Sequence, residues 1–125
     1  IDFASIGTND LCQYLTATDR MNPAVTEYYQ SYHPSMFRLI GYAARQFEQA
    51  GKPLSVCGEL GGDPLAAPVL VGLGIRKLSM NIGSVPIVKR ALSRLTIPQM
   101  EAIAQQVQNI SAGEAAAYLK ESFAD

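Results

Sequence analysis

Leu54-Ser55-Val56-Cys57-Gly58-Glu59-Leu60-Gly61-Gly62-Asp63-Pro64 is the stretch that decides the fold. Leu54 to Val56 is a short apolar run, bounded by turn residues, and reads as a buried strand. Gly58, Gly61 and Gly62 then make a flexible turn. Asp63 followed by Pro64 is the signature of a helix start, a side-chain cap ahead of a proline at the first helical position. A strand that empties through a glycine-rich turn into a helix is the repeating unit of a parallel sheet. In such a sheet, polar turns at the carboxyl ends of strands are where ligands and catalytic groups collect.

The same alternation extends to both sides. Upstream, Met36, Ile40, Ala43, Phe47 and Ala50 recur at spacings of four and three, so they share one helical face. Ser35 is the expected N-cap, Gly51 fits the residue past the C-terminus, and Pro53 forbids continuation. Residues Thr16 to Pro34 carry Asp19, Arg20, Asn22 and Pro23, a composition for loop and short helix. Before them, Phe3 to Ile6 reads as a first strand. Ser5-Ile6-Gly7-Thr8-Asn9-Asp10 is its polar turn, with Asn9 or Asp10 capping a helix through Leu15.

Downstream, Pro68 is expected to leave the helix after Pro64 irregular; Leu78 to Met80 reads as a third strand and Ser84 to Leu95 as the helix behind it. Residues 96–125 read as a helical tail. Thr96 with Gln99 and Ser111 with Glu114 match the capping box, and Met100, Ile103, Val107 and Ile110 form a core-facing stripe. The fold class is therefore α/β, with three strand–helix units and extra C-terminal helices. Three parallel strands are fewer than a closed barrel uses, and Ile1 opens directly into the first strand. The expectation is a piece of a longer polypeptide.

Composition removes several function classes. The 125 residues are 48% hydrophobic, enough for one core, with ten basic and eleven acidic side chains and a net charge of −1. That balance offers no polycationic field for nucleic acid and no basic tract for a membrane surface. No apolar run reaches the roughly 20 residues of a membrane span. Cys12 and Cys57 are too few for a disulfide framework and lie at no zinc-ligand spacing, which favours a reducing, cytoplasmic setting.

The turns after the three strands offer Asn9, Asp10, Cys57, Glu59 and Asn81, with Arg20 on the loop between the first two strands. Asp10 can hold a hard cation such as magnesium, or only cap a helix. Arg20 can grip a phosphate or carboxylate at two points, or be a solvated charge beside Asp19. Cys57 can act as nucleophile or acid, or as a small buried hydrophobe.

Asp2-Phe3-Ala4-Ser5-Ile6-Gly7-Thr8-Asn9-Asp10-Leu11-Cys12-Gln13-Tyr14, Ala17-Thr18-Asp19-Arg20-Met21-Asn22 and Val56-Cys57-Gly58-Glu59-Leu60-Gly61-Gly62-Asp63 together resemble the C-terminal phosphoenolpyruvate-binding domain of the enzyme I family, the phosphoenolpyruvate-protein phosphotransferases of bacterial sugar phosphotransferase systems. His33-Pro34, Gly72-Leu73-Gly74 and Leu78-Ser79-Met80 fit in the same order, and the resemblance runs from residue 2 to about residue 95. Leu78-Ser79-Met80-Asn81 with Ser84-Val85 leans towards the nitrogen-regulatory paralogue. Cys12 stands where relatives commonly carry Thr, and Gly61 where they carry Ala.

The resemblance implies a (β/α)8 TIM-type barrel, of which residues 1–125 would be the last three βα units with the tail. It implies that Asn9 and Asp10 contact the substrate phosphate, that Asp10 also binds Mg2+, that Arg20 binds phosphoenolpyruvate, and that Cys57 protonates the enolate carbon as pyruvate forms. His33 matches only a loop position, because the family's phosphorylated histidine belongs to a separate upstream domain. The other substrate arginines, the second magnesium carboxylate and the domain that docks a histidine-containing phosphocarrier protein would precede Ile1. The isolated chain is thus expected to be inactive. A homodimer is implied, since the family's C-terminal domain carries the dimer interface. Two other readings stand beside it: a pyruvate phosphate dikinase or phosphoenolpyruvate synthase, which share this barrel, and a non-catalytic dimerisation module.

Overall fold

A computed structural model describes residues 1–124. Three strands, β1 (Ala4–Gly7), β2 (Leu54–Cys57) and β3 (Lys77–Leu78), form one parallel sheet in the order β1-β2-β3. Among the described residues there are six α-helices, α1 (Thr8–Leu15), α2 (Pro34–Gln49), α3 (Ala66–Gly72), α4 (Ser84–Ser93), α5 (Ile97–Val107) and α6 (Ala112–Ser122), and two short 3-10 helices, Pro23–Tyr28 and Glu59–Gly62. The structure is therefore mixed α/β, with a helix on each crossover, as the alternating pattern predicts. Among the described residues no helix is long and apolar enough to cross a membrane.

Register sets which residues meet at the ends of the strands. Ala4 lies opposite Leu54, Ile6 opposite Val56 and Gly7 opposite Cys57, while Val56 lies opposite Leu78. The two polar turns thus leave the sheet side by side. β3 is shorter and earlier than expected, because the chain past Ser79 is drawn into the next helix, where the Asn81 side chain accepts from the Ser84 N–H at 2.9 Å. One further sheet bond survives, from the Ser79 N–H to the Val56 carbonyl at 2.9 Å.

Helix ends follow the local chemistry, with corrections at α1, α2 and α3. α2 is capped by His33, whose Nδ1 accepts from the Ser35 N–H at 3.1 Å, since Pro34 takes the first helical position and pushes the cap one residue beyond it. Neither Asn9 nor Asp10 caps α1, which begins at Thr8 and leaves both in its first turn. Pro68 does not disturb α3: it falls in the first turn, where its missing N–H costs nothing. Gly51 does take the left-handed conformation past α2, with φ of 64°. α3 starts at Ala66 with Leu65 at its N-cap, so Asp63 and Pro64 lie in the turn before it, where Asp63 Oδ1 accepts from the Leu65 and Ala66 N–H groups at 2.7 and 3.2 Å. Both expected capping boxes form on α5 and α6.

The core is built from Phe37, Ile40, Val56, Val69, Leu70, Ile75, Val107 and Leu119, all essentially inaccessible. Burial of each such side chain stabilises by roughly 1.5–3 kcal/mol relative to exposure. On α2 the buried stripe is Met36, Phe37, Ile40, Gly41 and Ala44, so Ala43 and Phe47 are only half-buried and Ala50 is exposed. The tail is part of this core. Ala104, Val107, Ala115 and Leu119 are buried in it, and α5 packs extensively against α3.

Candidate functional site

The site grows from the first turn of α1. Thr8 is buried, and its hydroxyl donates to the Cys57 carbonyl at 3.1 Å while accepting from the Leu60 N–H at 3.4 Å. Beside it, Asn9 Oδ1 accepts from the Glu59 N–H at 3.3 Å. Two side chains of the β1 turn thus hold the main chain of the β2 turn. Gly58 makes this approach possible: its φ is 90°, and a Cβ there would fall 2.7 Å from the Thr8 hydroxyl.

Cys57 ends β2 with its thiol half-buried, donating to the Ile6 carbonyl at 3.5 Å. Its side chain therefore reaches across the carboxyl edge of the sheet towards β1. Cys12, in contrast, is fully buried on α1, and burial pushes its thiol up, which suits a packing role.

Arg20 sits on the loop after α1. Its main-chain N–H donates to Gln13 Oε1 at 3.1 Å, which ties the loop back to α1. Asp19 spends one carboxylate oxygen on the Met21 N–H at 2.9 Å, a local turn contact. Further along the same loop the Tyr29 hydroxyl donates to the Asn9 carbonyl at 3.3 Å. Asn9 thus joins the loop after α1 to the Cys57–Glu59 turn, its carbonyl meeting Tyr29 and its Oδ1 the Glu59 N–H. Below them Tyr32 donates a short hydrogen bond to Asp63 Oδ2, pinning the same loop to the start of α3.

Asp10 is exposed in the first turn of α1, and no ion pair engages it among the described residues. An exposed, uncommitted carboxylate is a suitable hard-oxygen ligand for a divalent cation. It is one ligand rather than a full set, since no group of three or more metal-binding side chains occurs among the described residues. Asn81 is occupied by the Ser84 N–H at the start of α4, and His33 is the cap of α2.

Tyr29 and Thr8 are the two members that sequence reasoning did not single out. Thr8 lies within the quoted turn, but only the fold shows its hydroxyl reaching the other loop. Tyr29 lies in an aperiodic stretch beside Tyr28, and no pattern says which ring turns inward. A cavity of about 320 Å³ between the turn before α3, α4 and the end of α6, lined by Leu65, Ile87, Arg90 and Phe123 among others, contains none of these residues. The candidate site is an open edge of the sheet.

Comparison with known proteins places the same turns in context. The family described as PEP-utilising enzyme, PEP-binding domain, matches residues 1–97. The chain is 46% identical over 106 residues, 85% of its length, to an Escherichia coli K12 protein named phosphoenolpyruvate-dependent phosphotransferase system, of which it covers 14%. It is 40% identical over 124 residues, 98% of its length, to the phosphoenolpyruvate-protein phosphotransferase of Bacillus subtilis 168, of which it covers 22%. It is also 46% identical over 95 residues, 76% of its length, to multiphosphoryl transfer protein 2 of Escherichia coli K12, of which it covers 11%. The chain thus spans less than a quarter of the length of these curated relatives.

Proposed function

The chain belongs to the PEP-utilising enzymes, as a PEP-binding domain, and from that premise we propose that it supplies the last three βα units of a (β/α)8 barrel that transfers phosphoryl from phosphoenolpyruvate. The acceptor is a histidine elsewhere in the same protein, and the phosphoryl group passes on to a histidine-containing phosphocarrier protein as pyruvate leaves. The names of the relatives support this over a pyruvate phosphate dikinase or a phosphoenolpyruvate synthase. The homodimer and the cytoplasmic setting belong to the same reading.

The observation that supports the proposal is the meeting of the Asn9 and Cys57 turns at one edge of the sheet, with the loop that carries Arg20 tied back to α1. Phosphoryl transfer needs little covalent chemistry from the protein; it needs charge neutralised at the phosphate oxygens and the groups held in place. Arg20 supplies a two-point cationic clamp and Asn9 a neutral donor. Asp10 is the residue that would hold Mg2+, which when bound neutralises charge on the phosphate oxygens.

Once the phosphoryl group has left, the enolate of pyruvate needs a proton on its methylene carbon. A thiol S–H placed at that carbon can deliver one as a general acid. The enolate's electron pair forms the new C–H bond as the S–H bond of Cys57 breaks, leaving a thiolate that recovers its proton from solvent.

The test is pyruvate formation by the full-length protein, with phosphoenolpyruvate, Mg2+ and phosphocarrier protein, for wild type and Cys57→Ala. Loss of a general acid is expected to slow turnover by about 10²- to 10⁴-fold with phosphoenolpyruvate affinity retained. Unchanged turnover would remove Cys57 from the mechanism.

A further inference from the structure

Main-chain groups of Cys57, Glu59 and Leu60 are held by two adjacent side chains of the β1 turn. The Thr8 hydroxyl takes the Cys57 carbonyl and the Leu60 N–H, and Asn9 Oδ1 takes the Glu59 N–H. The Cys57 thiol in turn donates to the carbonyl of Ile6, two residues before Thr8. Cys57 is therefore fastened to one short segment at two atoms, its sulfur by Ile6 and its carbonyl oxygen by Thr8.

The carbonyl is the attachment that the local sequence leaves loose. Gly58 follows with φ of 90° and ψ of −169°, and a glycine adopts either sign of φ at little cost. The peptide between Cys57 and Gly58 can therefore rotate unless its oxygen is held, and that rotation redirects Cys57 at the end of β2. Thr8 is 2% exposed, so its hydroxyl makes both bonds away from bulk water. Removing it leaves a donor and an acceptor unsatisfied and the peptide free to turn.

In phosphoenolpyruvate the methylene carbon is bonded to the carbon that bears the phosphate ester. A proton donor for that carbon must therefore keep a fixed spacing from the phosphate ligands. Asn9 and Asp10 follow Thr8 directly in the chain. We infer that Thr8 is a positioning residue for proton donation: by holding the Cys57–Gly58 peptide, its hydroxyl sets the Cys57 thiol at a fixed place relative to Asn9 and Asp10. The inference rests on the reading of Cys57 as the general acid. Thr8 touches neither substrate nor reacting atoms, since its hydroxyl is spent on two main-chain groups; it acts through Cys57.

The experiment compares wild type, Thr8→Val, Thr8→Ser, Cys57→Ala and the double variant Thr8→Val with Cys57→Ala, in the full-length protein and below every melting transition. It measures kcat for pyruvate release with Mg2+ and phosphocarrier protein, phosphoenolpyruvate Kd by calorimetry, and the melting temperature. Thr8→Val is expected to lower kcat by about 10- to 100-fold, the scale of misplacing a reacting group by about 1 Å, with Kd little changed. Thr8→Ser keeps the oxygen and should restore most of the rate. In the Cys57→Ala background Thr8→Val should slow turnover no further, a coupling that a merely structural threonine would not show. Thr8→Ala takes the place of Thr8→Val in every comparison should the valine variant fail to fold. An equal loss of kcat in both backgrounds would overturn the inference. So would a wild-type kcat in Thr8→Val when Cys57→Ala is slow. If Cys57→Ala itself turns over as wild type does, the reading of Cys57 falls, and the inference with it.

Discussion

The hydroxyl of Thr8 donates to the main-chain carbonyl of Cys57 at 3.1 Å, bridging residues 49 apart in sequence. The same oxygen accepts from the Leu60 N–H, so one buried hydroxyl satisfies an acceptor and a donor of the β2 turn. Thr8→Val preserves shape and strands both groups, which is expected to destabilise the protein by about 1–3 kcal/mol, whereas Thr8→Ser keeps the oxygen and most of the stability. Urea unfolding of the three proteins reads the difference. Equal midpoints for the wild type and Thr8→Val would show that the hydroxyl does not fasten the two turns.

Gly58 faces that hydroxyl from the other turn. Its φ of 90° is strained for any residue with a Cβ, and the added carbon would fall 2.7 Å from the Thr8 oxygen. Gly58→Ala is expected to cost on the order of 1–3 kcal/mol and to displace Cys57 relative to Asn9. Reduced pyruvate formation alongside a lowered melting temperature is the anticipated outcome. Wild-type values for both would contradict this close approach.

Gly72 performs a similar service away from the site. A Cβ there would run into the Met100 carbonyl, so α3 and α5 meet with almost no space between their backbones. Gly72→Ala should force the helices apart and destabilise by roughly 1–3 kcal/mol, as overpacking does. Because residues of α5 and α6 are buried in the common core, the unfolding transition should shift as a single step. A separate early transition of the tail would argue that the tail is an independent unit.

Glu114 makes the start of α6 sensitive to acid. Its carboxylate accepts from the Ser111 hydroxyl at 2.6 Å and the Ser111 N–H at 3.2 Å, and these bonds hold it below its ordinary value of 4.5. A carboxyl group with a lowered folded value binds protons more weakly when folded than when unfolded. Its stabilising contribution is therefore complete above the ordinary value and disappears as pH falls through the lowered one. The carboxylate is fully exposed, so the effect is local to the first turn of α6. Amide exchange in that turn should accelerate on acidification in wild type and be already fast, with a flatter pH response, in Glu114→Gln. Identical pH responses would show that the capping box contributes nothing.

The elements with strong local punctuation are legible in the sequence. Gly51 and Pro53 end α2 as expected, because the physics there is confined to a few residues: a left-handed turn and a missing N–H. The capping boxes at Thr96 and Ser111 are equally local. What the pattern misplaces depends on neighbours. Ala44 rather than Ala43 faces the core because α2 is rotated to suit the helices packed on it, and β3 stops early because Asn81 commits the chain to α4. Within the site, the turns holding Asn9, Asp10 and Cys57 announce themselves by composition. The contact from Tyr29 to Asn9 does not, because it comes from an aperiodic loop whose path is set by tertiary contacts such as Tyr32 with Asp63.

The edges of the sheet lead to the last prediction. Among the described residues β1 and β3 each have a strand neighbour on one side only, and Phe3 and Ile82 are 74% and 91% exposed. Unpaired strand edges beside exposed apolar side chains favour pairing with another chain. The 125-residue chain produced alone should therefore associate at micromolar concentration, the range in which such surfaces drive aggregation. It should also fail to sustain pyruvate release from phosphoenolpyruvate with Mg2+ and phosphocarrier protein, since Asp10 is a lone carboxylate and no set of three metal-binding side chains surrounds it among the described residues. Light scattering during size-exclusion chromatography checks the first expectation, and a coupled pyruvate assay checks the second. A monomer that turns over continuously would mean that these three strand–helix units carry a complete site, and the barrel reading would fall.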